Sequence, residues 1–515
     1  MPHLNAAIEI GTTGIRLLVE ESDASGKSRV LDKSEFPVSI GRDVFTTGAI
    51  SRATLLQILK ILNRYREQLL SWGLKSSDAE VVATSAFRES ENRDSVLDRI
   101  NVKTGFRVRV IDGIEENRLM FLAVANCLKG AREESKDAPS SKLLDEGNSI
   151  ILEVSGGSTE IMLLENGSIA GAHSLRLGTV IIEQQLKKMG SIMDARRYVS
   201  EYIANTKGSL KNELDLGKVR QFIAVGNDIS IAALFAGKPI STFLWQMERE
   251  DFDRFVSEIK DYSAEEIVAR FKLPHAEAES LHLNLLVFQL FISLTNTERI
   301  FVPETNIREG LLLSRTKNGG GRVEFHSQII ASAQTLLKKY RGDESHAEHV
   351  RQTAGRFFDA LKDELGLKED ARMLLEIAAI LHDIGTFIRA KDHNEHSKYI
   401  IEHSEIFGLN REDIEIISQI VLWHRGHKNM GADSHFRSLP RDARLTILKL
   451  TAILKIADAL DRSHTQRIKN FKISFSHDTM MIQTDGSHNN VLEKLAVREK
   501  SDTFESVFGY KVLLL

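Results

Sequence analysis

The sequence has a single cysteine in 515 residues, Cys127, so no disulfide can form within the chain. A reducing, cytosolic setting is the expectation that follows. A surplus of one charge is lacking too: 68 Lys and Arg stand against 72 Asp and Glu, a formal net charge of -4. That balance argues against a dedicated duplex-DNA binder. There is no long hydrophobic run. The most apolar stretch, "LHLNLLVFQLFISL", is too short to span a bilayer and carries His282, Asn284 and Gln289. It reads as a buried core helix, and no membrane partner is expected. The start, "MPHLNAAIEIG", has neither a basic segment nor a long apolar core, so a signal peptide is not expected. Cys127 lies in "RLMFLAVANCLKG", where it reads as a small core residue of an apolar helix.

What is present is an ordinary globular balance, 42% hydrophobic and 27% charged residues. The length exceeds one core, and three or more domains are expected. The first half alternates strands and helices. "AAIEI", "IRLLVE", "AEVVATSA" and "FRVRVI" read as strands, with "SRATLLQILKILNRYREQLLSWG" an amphipathic helix among them. From residue 149 the pattern restarts with "SIILEV", "TEIMLLENG", "SIAGAHSLRLG" and "QFIAVG" as strands. This is an α/β layout in two halves. A polar stretch, "KGAREESKDAPSSKLLDEGN", separates them. The glycines of "SRTKNGGGRVEF" read as a linker over 317–322. After it, helix follows helix and histidines cluster. The end, "IKNFKISFSHDTMMIQTDG", returns to strand-like alternation, the mark of a small α+β tail.

Two segments repeat one design: "AAIEIGTTGIRLLVE" (6–20) and "IILEVSGGSTEIMLLE" (150–165). Each is an apolar strand with a Glu near its end, a turn of Gly, Ser or Thr, and a second strand. Small turn residues let backbone N–H groups approach phosphate oxygens. The strand-end carboxylates, Glu9 and Glu153, suit a divalent cation or an oriented water. One such hairpin alone is an ordinary glycine turn; the recurrence points to a duplicated phosphate-loop fold.

These hairpins resemble the phosphate loops of the acetate and sugar kinase, Hsp70 and actin superfamily. Within it, the chain resembles the exopolyphosphatase / guanosine pentaphosphate phosphohydrolase (Ppx/GppA) family. The resemblance rests on "ATSAFRES", "VIDGIEENRLMFLAV", "SLRLGTV" and "NIREGLLL", in that order. It implies two actin-like/Hsp70-like (ribonuclease H-like) α/β domains facing a cleft, at 1–130 and 131–316. An all-α domain over 323–468 and a small α+β segment over 469–515 would follow. It further implies that Glu116 activates water, that Arg88 clamps the phosphate chain, and that Glu9 and Glu153 hold Mg²⁺. Gly11, Thr12, Thr13, Ser155, Gly156, Gly157, Ser158, Thr159, Arg176 and Gly226 would bind phosphate. A homodimer is implied by the family alone. Read without the resemblance, Glu115, Glu116 and Arg118 also suit a solvated helix start, and Arg88 and Arg176 suit surface ion pairs. The chain departs from the family pattern at Glu9 and Glu153, where Asp is usual, and at Ser155, where Gly is usual. Asn227 and Asp228 also stand where a Gly/Ser-Gly-Thr-like run is usual.

In the helical region, "SHAEHVRQTAGRFFDAL", "LLEIAAILHDIG" and "LKIADALDRSH" bring His346, His382, Asp383 and Asp458 onto three helices. Imidazoles and carboxylates converging from three helices make a divalent metal site. The motif resembles the HD-domain phosphohydrolase superfamily, which implies those four ligands, with His396 and His424 completing a second position. Mn²⁺, Fe²⁺ or Zn²⁺ would suit the centre. His349, His393 and His427 read as packing or surface residues. Arg425, Lys428, Arg437, Arg441, Arg444, Arg462 and Arg467 suit either a polyanion or a solvated face.

Three function classes stand at this point. The first is a Mg²⁺-dependent hydrolase releasing terminal phosphate from inorganic polyphosphate or guanosine pentaphosphate. The second is a nucleotide phosphohydrolase acting through the HD centre. The third is a catalytically weakened regulator that binds the alarmone or polyphosphate.

Overall fold

The computed structural model describes residues 3–23, 28–135, 144, 147–189, 196–205, 215–273, 275–314, 320–367, 371–426, 430–485 and 490–515. Two compact units result, Met1–Phe325 and His326–Leu515.

The first unit holds two sheets. Strands β1 (His3–Ile10), β2 (Gly14–Ser22), β3 (Ser28–Pro37), β4 (Ala79–Ala83) and β5 (Val108–Val110) form a sheet of order β3-β2-β1-β4-β5. β1 runs antiparallel to β2 and parallel to β4, and it is buried over Ala6–Ile8, as a central strand must be. The second sheet holds β6 (Asn148–Val154), β7 (Thr159–Glu165), β8 (Ser168–Leu175), β9 (Gln221–Val225), β10 (Lys238–Ser241), β11 (Leu244–Glu248) and β12 (Arg299–Pro303). Its order is β10-β11-β12-β9-β6-β7-β8, so β8-β7-β6-β9-β12 repeats the order of the first sheet. The duplication visible in the two hairpins thus extends to the topology of both halves.

Helices pack on these sheets: α1 (Ile40–Thr47), α2 (Arg52–Ser71), α3 (Ser85–Glu89), α4 (Arg93–Thr104), α5 (Gly113–Glu134), α6 (Thr179–Met189), α7 (Asn227–Ala236), α8 (His275–Ser293) and α9 (Ile307–Leu313). On α2, Ser51 caps the start by accepting from Thr54 N at 3.2 Å. Its core stripe is Thr54, Ile58, Leu62, Tyr65 and Leu69, the three-to-four spacing of an amphipathic helix. The apolar run around His282 lies in α8, mostly buried as expected.

The structure corrects several sequence expectations. The strand in "AEVVATSA" stops at Ala83, and the following residues turn into α3, which carries Arg88. In "FRVRVI" only Val108–Val110 pair. The strand β3 was not anticipated, because its mixed, largely exposed residues at a sheet edge carry no apolar alternation. Of the expected linker, 317–319 lie outside the described residues, and Gly320 and Gly321 begin a helix.

The second unit is helical, with α10 (Gly320–Lys339) leading into it, then α11 (Glu344–Ala360), α12 (Ala371–Leu381), α13 (His393–Glu402), α14 (Arg411–Trp423), α15 (Arg441–Ala459) and α16 (Val491–Phe508). A small sheet of β13 (Phe471–Ser476), β14 (Thr479–Thr484) and β15 (Lys511–Leu514) joins α16. One apolar core runs through α11, α12, α14 and α15 and on to Phe504 and Leu514, so the C-terminal α+β segment shares the core of the helices.

Candidate active site and candidate metal centre

In the first unit, the turns after β1 and β6 meet. Gly11 N donates to Gly14 O at 2.9 Å, and Ser155 N donates to Ser158 O at 2.9 Å, so each turn closes the same way. Thr12 Oγ1 and Ser85 Oγ lie 2.9 Å apart. A Cβ on Gly157 would stand 2.3 Å from Ser85 Oγ and 2.8 Å from Thr12 Oγ1. Only glycine permits this approach of one hairpin to the other. The side chains of Ser155 and Thr159 are engaged locally: Ser155 Oγ accepts from Ser158 N at 3.3 Å, and Thr159 Oγ1 donates to Leu177 O at 2.5 Å. The Thr12 and Ser158 hydroxyls are engaged as well, with Ser85 and Ser155, so phosphate binding by these turns would rest chiefly on backbone N–H groups.

Helix α5 starts beside them. Asp112 caps it, accepting from Glu115 N at 2.8 Å, and this fixes the first turn that carries both acids. The two acids have separate settings. Glu115 is held by Arg118 at 2.6 Å and Arg109 at 3.3 Å. Glu116 is buried and takes a hydrogen bond from Arg88 Nη1, which also donates to Ile111 O at 2.8 Å. Burial, and then the charge of Glu160, push the Glu116 carboxyl up to about 8, against the pull of Arg88.

Glu160 is a site residue that the sequence reading passed over. It lies on β7 directly opposite Glu153 on β6, and like charges so placed repel. Burial and Glu153 push Glu160 to about 7, while burial and Glu9 push Glu153 to about 8. Ser174 Oγ donates to Glu160 Oε1 at 3.0 Å. Glu160 Oε2 is buried and finds no hydrogen-bond partner among the described residues. An orphaned carboxylate oxygen beside two more acids fits a divalent cation. Glu9 differs: its two oxygens take Arg16 at 3.2 Å and Arg308 at 2.6 Å. For Glu9 to serve as the expected ligand, a cation would have to share or displace those arginines. Arg308 belongs to the "NIREGLLL" motif, but its partner lies 299 residues away in sequence, which hid the pairing.

Two phosphate-site candidates remain, Arg176 and Gly226. Arg176 pairs with Glu89 at 2.7 Å and lines a cavity of about 180 Å³ with Phe45, Gln184, Tyr198 and Tyr202. Gly226 precedes α7 at a φ of +134°, a backbone that favours glycine. Asp228, in the first turn of α7, accepts from Asn284 Nδ2 at 2.5 Å.

The second unit holds a different cluster. His346 on α11, His382 at the end of α12, Asp383 after it and Asp458 on α15 come together. Asp458 Oδ1 is 3.6 Å from His346 Nε2 and 3.8 Å from His382 Nε2. Asp383 Oδ1 faces the other way as well, 2.9 Å from His393 Nε2 and 3.6 Å from His424 Nε2. Three overlapping groups with metal-ligand spacing result among the described residues: His346, His382 and Asp458; His346, Asp383 and His464; and Asp383, His393 and His424.

His393, expected to be a packing or surface residue, lies in one of these groups, and His396, the expected ligand, lies in none of them. Both lie on α13, and a spacing of three leaves the inward residue undecided from sequence. His427 and Lys428 lie outside the described residues.

Three imidazoles are oriented alike. The Nδ1 atom of His346 meets Asp461 Oδ2 at 2.8 Å, that of His382 meets Ala379 O at 2.8 Å, and that of His424 meets Val421 O at 2.6 Å. With Nδ1–H donating outward, each presents Nε2 inward, the arrangement in which outer partners orient metal-binding histidines. His393 Nδ1 lies 3.0 Å from Ala390 O and 2.7 Å from Arg425 Nη1. Burial opposes charge here too, yet the acids stay ionised. Imidazoles and Lys500 outweigh the burial and hold Asp383 and Asp458 well below the usual carboxylate range. Asp458 and Asp461 outweigh the burial of His346 and lift it to about 9.

Comparison with known proteins gives consistent matches. The model described as the Ppx/GppA phosphatase family matches residues 18–318, and that described as Ppx/GppA phosphatase, domain III, matches residues 330–501. The chain is 22% identical over 490 residues to a guanosine-5'-triphosphate,3'-diphosphate pyrophosphatase of Photobacterium profundum, covering 93% of this chain and 91% of that one. It is 24% identical over 488 residues to the protein of that name from Aeromonas salmonicida, covering 93% and 92%. Among solved structures, an exopolyphosphatase from Cytophaga hutchinsonii matches with a TM-score of 0.52 and 19% identity. That match covers 61% of this chain and 97% of the other. At such identity it speaks for the fold. No helix among the described residues is long and apolar enough to cross a membrane.

Proposed function

Because the chain belongs to the Ppx/GppA phosphatase family, a family of phosphoanhydride hydrolases, we propose that its first unit removes the terminal phosphoryl group of guanosine pentaphosphate or inorganic polyphosphate. The observation that carries this is the buried Glu116, held by Arg88 and near enough to feel the charges of Glu160 and Glu9, which flank the two Gly/Ser/Thr turns. Backbone N–H groups of the turns take the anionic oxygens of the substrate. Arg88, engaged to Glu116 and Ile111 O, keeps the carboxylate fixed at the reacting end. Glu116 accepts the proton of the attacking water in its ionised form, which Arg88 favours against the burial that raises its carboxyl. Glu153 and Glu160 are the residues that would hold Mg²⁺. When bound, such an ion supplies positive charge against the phosphate oxygens and draws the carboxyls toward their ionised forms.

A second reading is favoured by the three oriented imidazoles. The cluster of the second unit would be an HD-type metal centre able to hydrolyse a nucleotide phosphate. Its ligands would be His346, His382, Asp383, Asp458, His393 and His424.

Phosphate release from long polyphosphate and from guanosine pentaphosphate separates the readings. Loss in Glu116→Gln, with Asp383→Ala unaffected, supports the first. Loss only in Asp383→Ala moves the chemistry to the second unit. Retained binding without release in the wild type points to a regulator instead.

A further inference from the structure

Beside the metal-ligand groups of the second unit lies a cavity of about 230 Å³. Four basic residues line it, Arg425, Lys455, Arg462 and Lys500, and three acids, Asp383, Asp458 and Glu499. Lys500 comes from α16, the helix of the C-terminal α+β segment, and its ammonium donates to Asp458 Oδ2. Asp458 thus turns one oxygen to Lys500 and the other to His346 and His382. Lys455 is anchored elsewhere, donating to Gly426 O and Thr503 Oγ1 at 3.0 Å each, so it braces α16 against the rim. Lys500 and a divalent ion would therefore claim the same carboxylate, and two cations on one carboxylate repel. Once a divalent ion offsets the acids, the four basic residues leave the cavity with a positive surplus, which suits an anion.

We propose that Lys500 is a phosphate-binding residue of this centre, released from Asp458 when a divalent ion takes that carboxylate and then holding a phosphoryl oxygen beside Arg425 and Arg462. The inference rests on the reading of the cluster as a metal centre. The ligand class is the phosphoryl group of a phosphorylated small molecule. An ammonium on a flexible stem is suited to such a move, while the guanidinium of Arg425 stays against His393. Metal and phosphate are consequently bound in a linked way: the ion frees the group that completes the anion site.

The test uses full-length protein and calorimetry, first with Mn²⁺, then with inorganic phosphate added to Mn²⁺-loaded protein. Asp383→Ala marks the Mn²⁺ uptake that belongs to other sites. Lys500→Met is expected to bind Mn²⁺ about tenfold more tightly, and inorganic phosphate about tenfold more weakly, than wild type. Lys500→Arg is expected to keep phosphate binding within about threefold. A fall in both affinities of Lys500→Met would mark a merely structural ion pair and overturn the inference. Unchanged affinities would overturn it alone. No difference in Mn²⁺ uptake between wild type and Asp383→Ala would overturn the metal-centre reading and the inference with it.

Discussion

The two buried acid clusters of this chain solve the problem of charge in opposite ways. In the first unit Glu116, Glu153 and Glu160 crowd one another, and burial with mutual repulsion lifts all three carboxyls to about 7 or 8. In the second unit Asp458 is buried and Asp383 partly so, but imidazoles and Lys500 hold both well below the usual range. The first cluster carries an uncompensated burden that a proton or a cation relieves. The second supplies its own counter-charges and must give some of them up to take an ion. A site of the first kind suits a base poised near neutrality, and one of the second kind suits competition between internal and external cations.

Short of replacing Glu116 itself, breaking the first cluster at its positioning residue should have the largest effect. Arg88→Ala frees Glu116 from its donor, and kcat for phosphate release should fall by about 10²-fold or more. Steady-state kinetics on polyphosphate read this directly. In the second cluster, Asp461→Asn weakens the partner that orients His346, and affinity for a divalent ion should drop about 10- to 100-fold, measured by metal titration.

Glu160→Gln sharpens the contrast through stability. A carboxyl raised from 4.5 to about 7 makes the folded state bind protons more tightly than the unfolded one. Its penalty is therefore absent below about pH 4.5 and complete above about pH 7. Replacing it should stabilise the protein by on the order of 2 kcal/mol at pH 8 in chelator, and leave it unchanged near pH 4. Denaturant melts at the two pH values check the sign. The smallest effect is expected at Glu115→Gln: its partners are Arg118 and Arg109, and kcat should change by less than about fivefold.

Much of the first site was legible because its parts are local. The strand, Glu, small-residue turn and strand of "AAIEIGTTGIRLLVE" and "IILEVSGGSTEIMLLE" carry their geometry within fifteen or so residues. The turn chemistry alone signals a close backbone approach. The His-Asp pair after an apolar helix was visible for the same reason. What stayed hidden depends on pairings across the fold. Glu160 is a site residue through cross-strand register, which one quoted hairpin shows only once its pairing is known. Arg308 and Glu9, or Lys500 and Asp458, meet through tertiary packing that no periodicity encodes. His393 against His396 was a choice of helix face, settled by the packing of α13 against α14.

The central claim is that Glu116 is the base of a phosphoanhydride hydrolase. The most direct measurement is kcat and KM for phosphate release by Glu116→Gln at saturating polyphosphate. The account predicts a fall in kcat of about 10³-fold with KM held within a few fold, since the turns proposed to bind the substrate are untouched. A kcat within tenfold of wild type would contradict it.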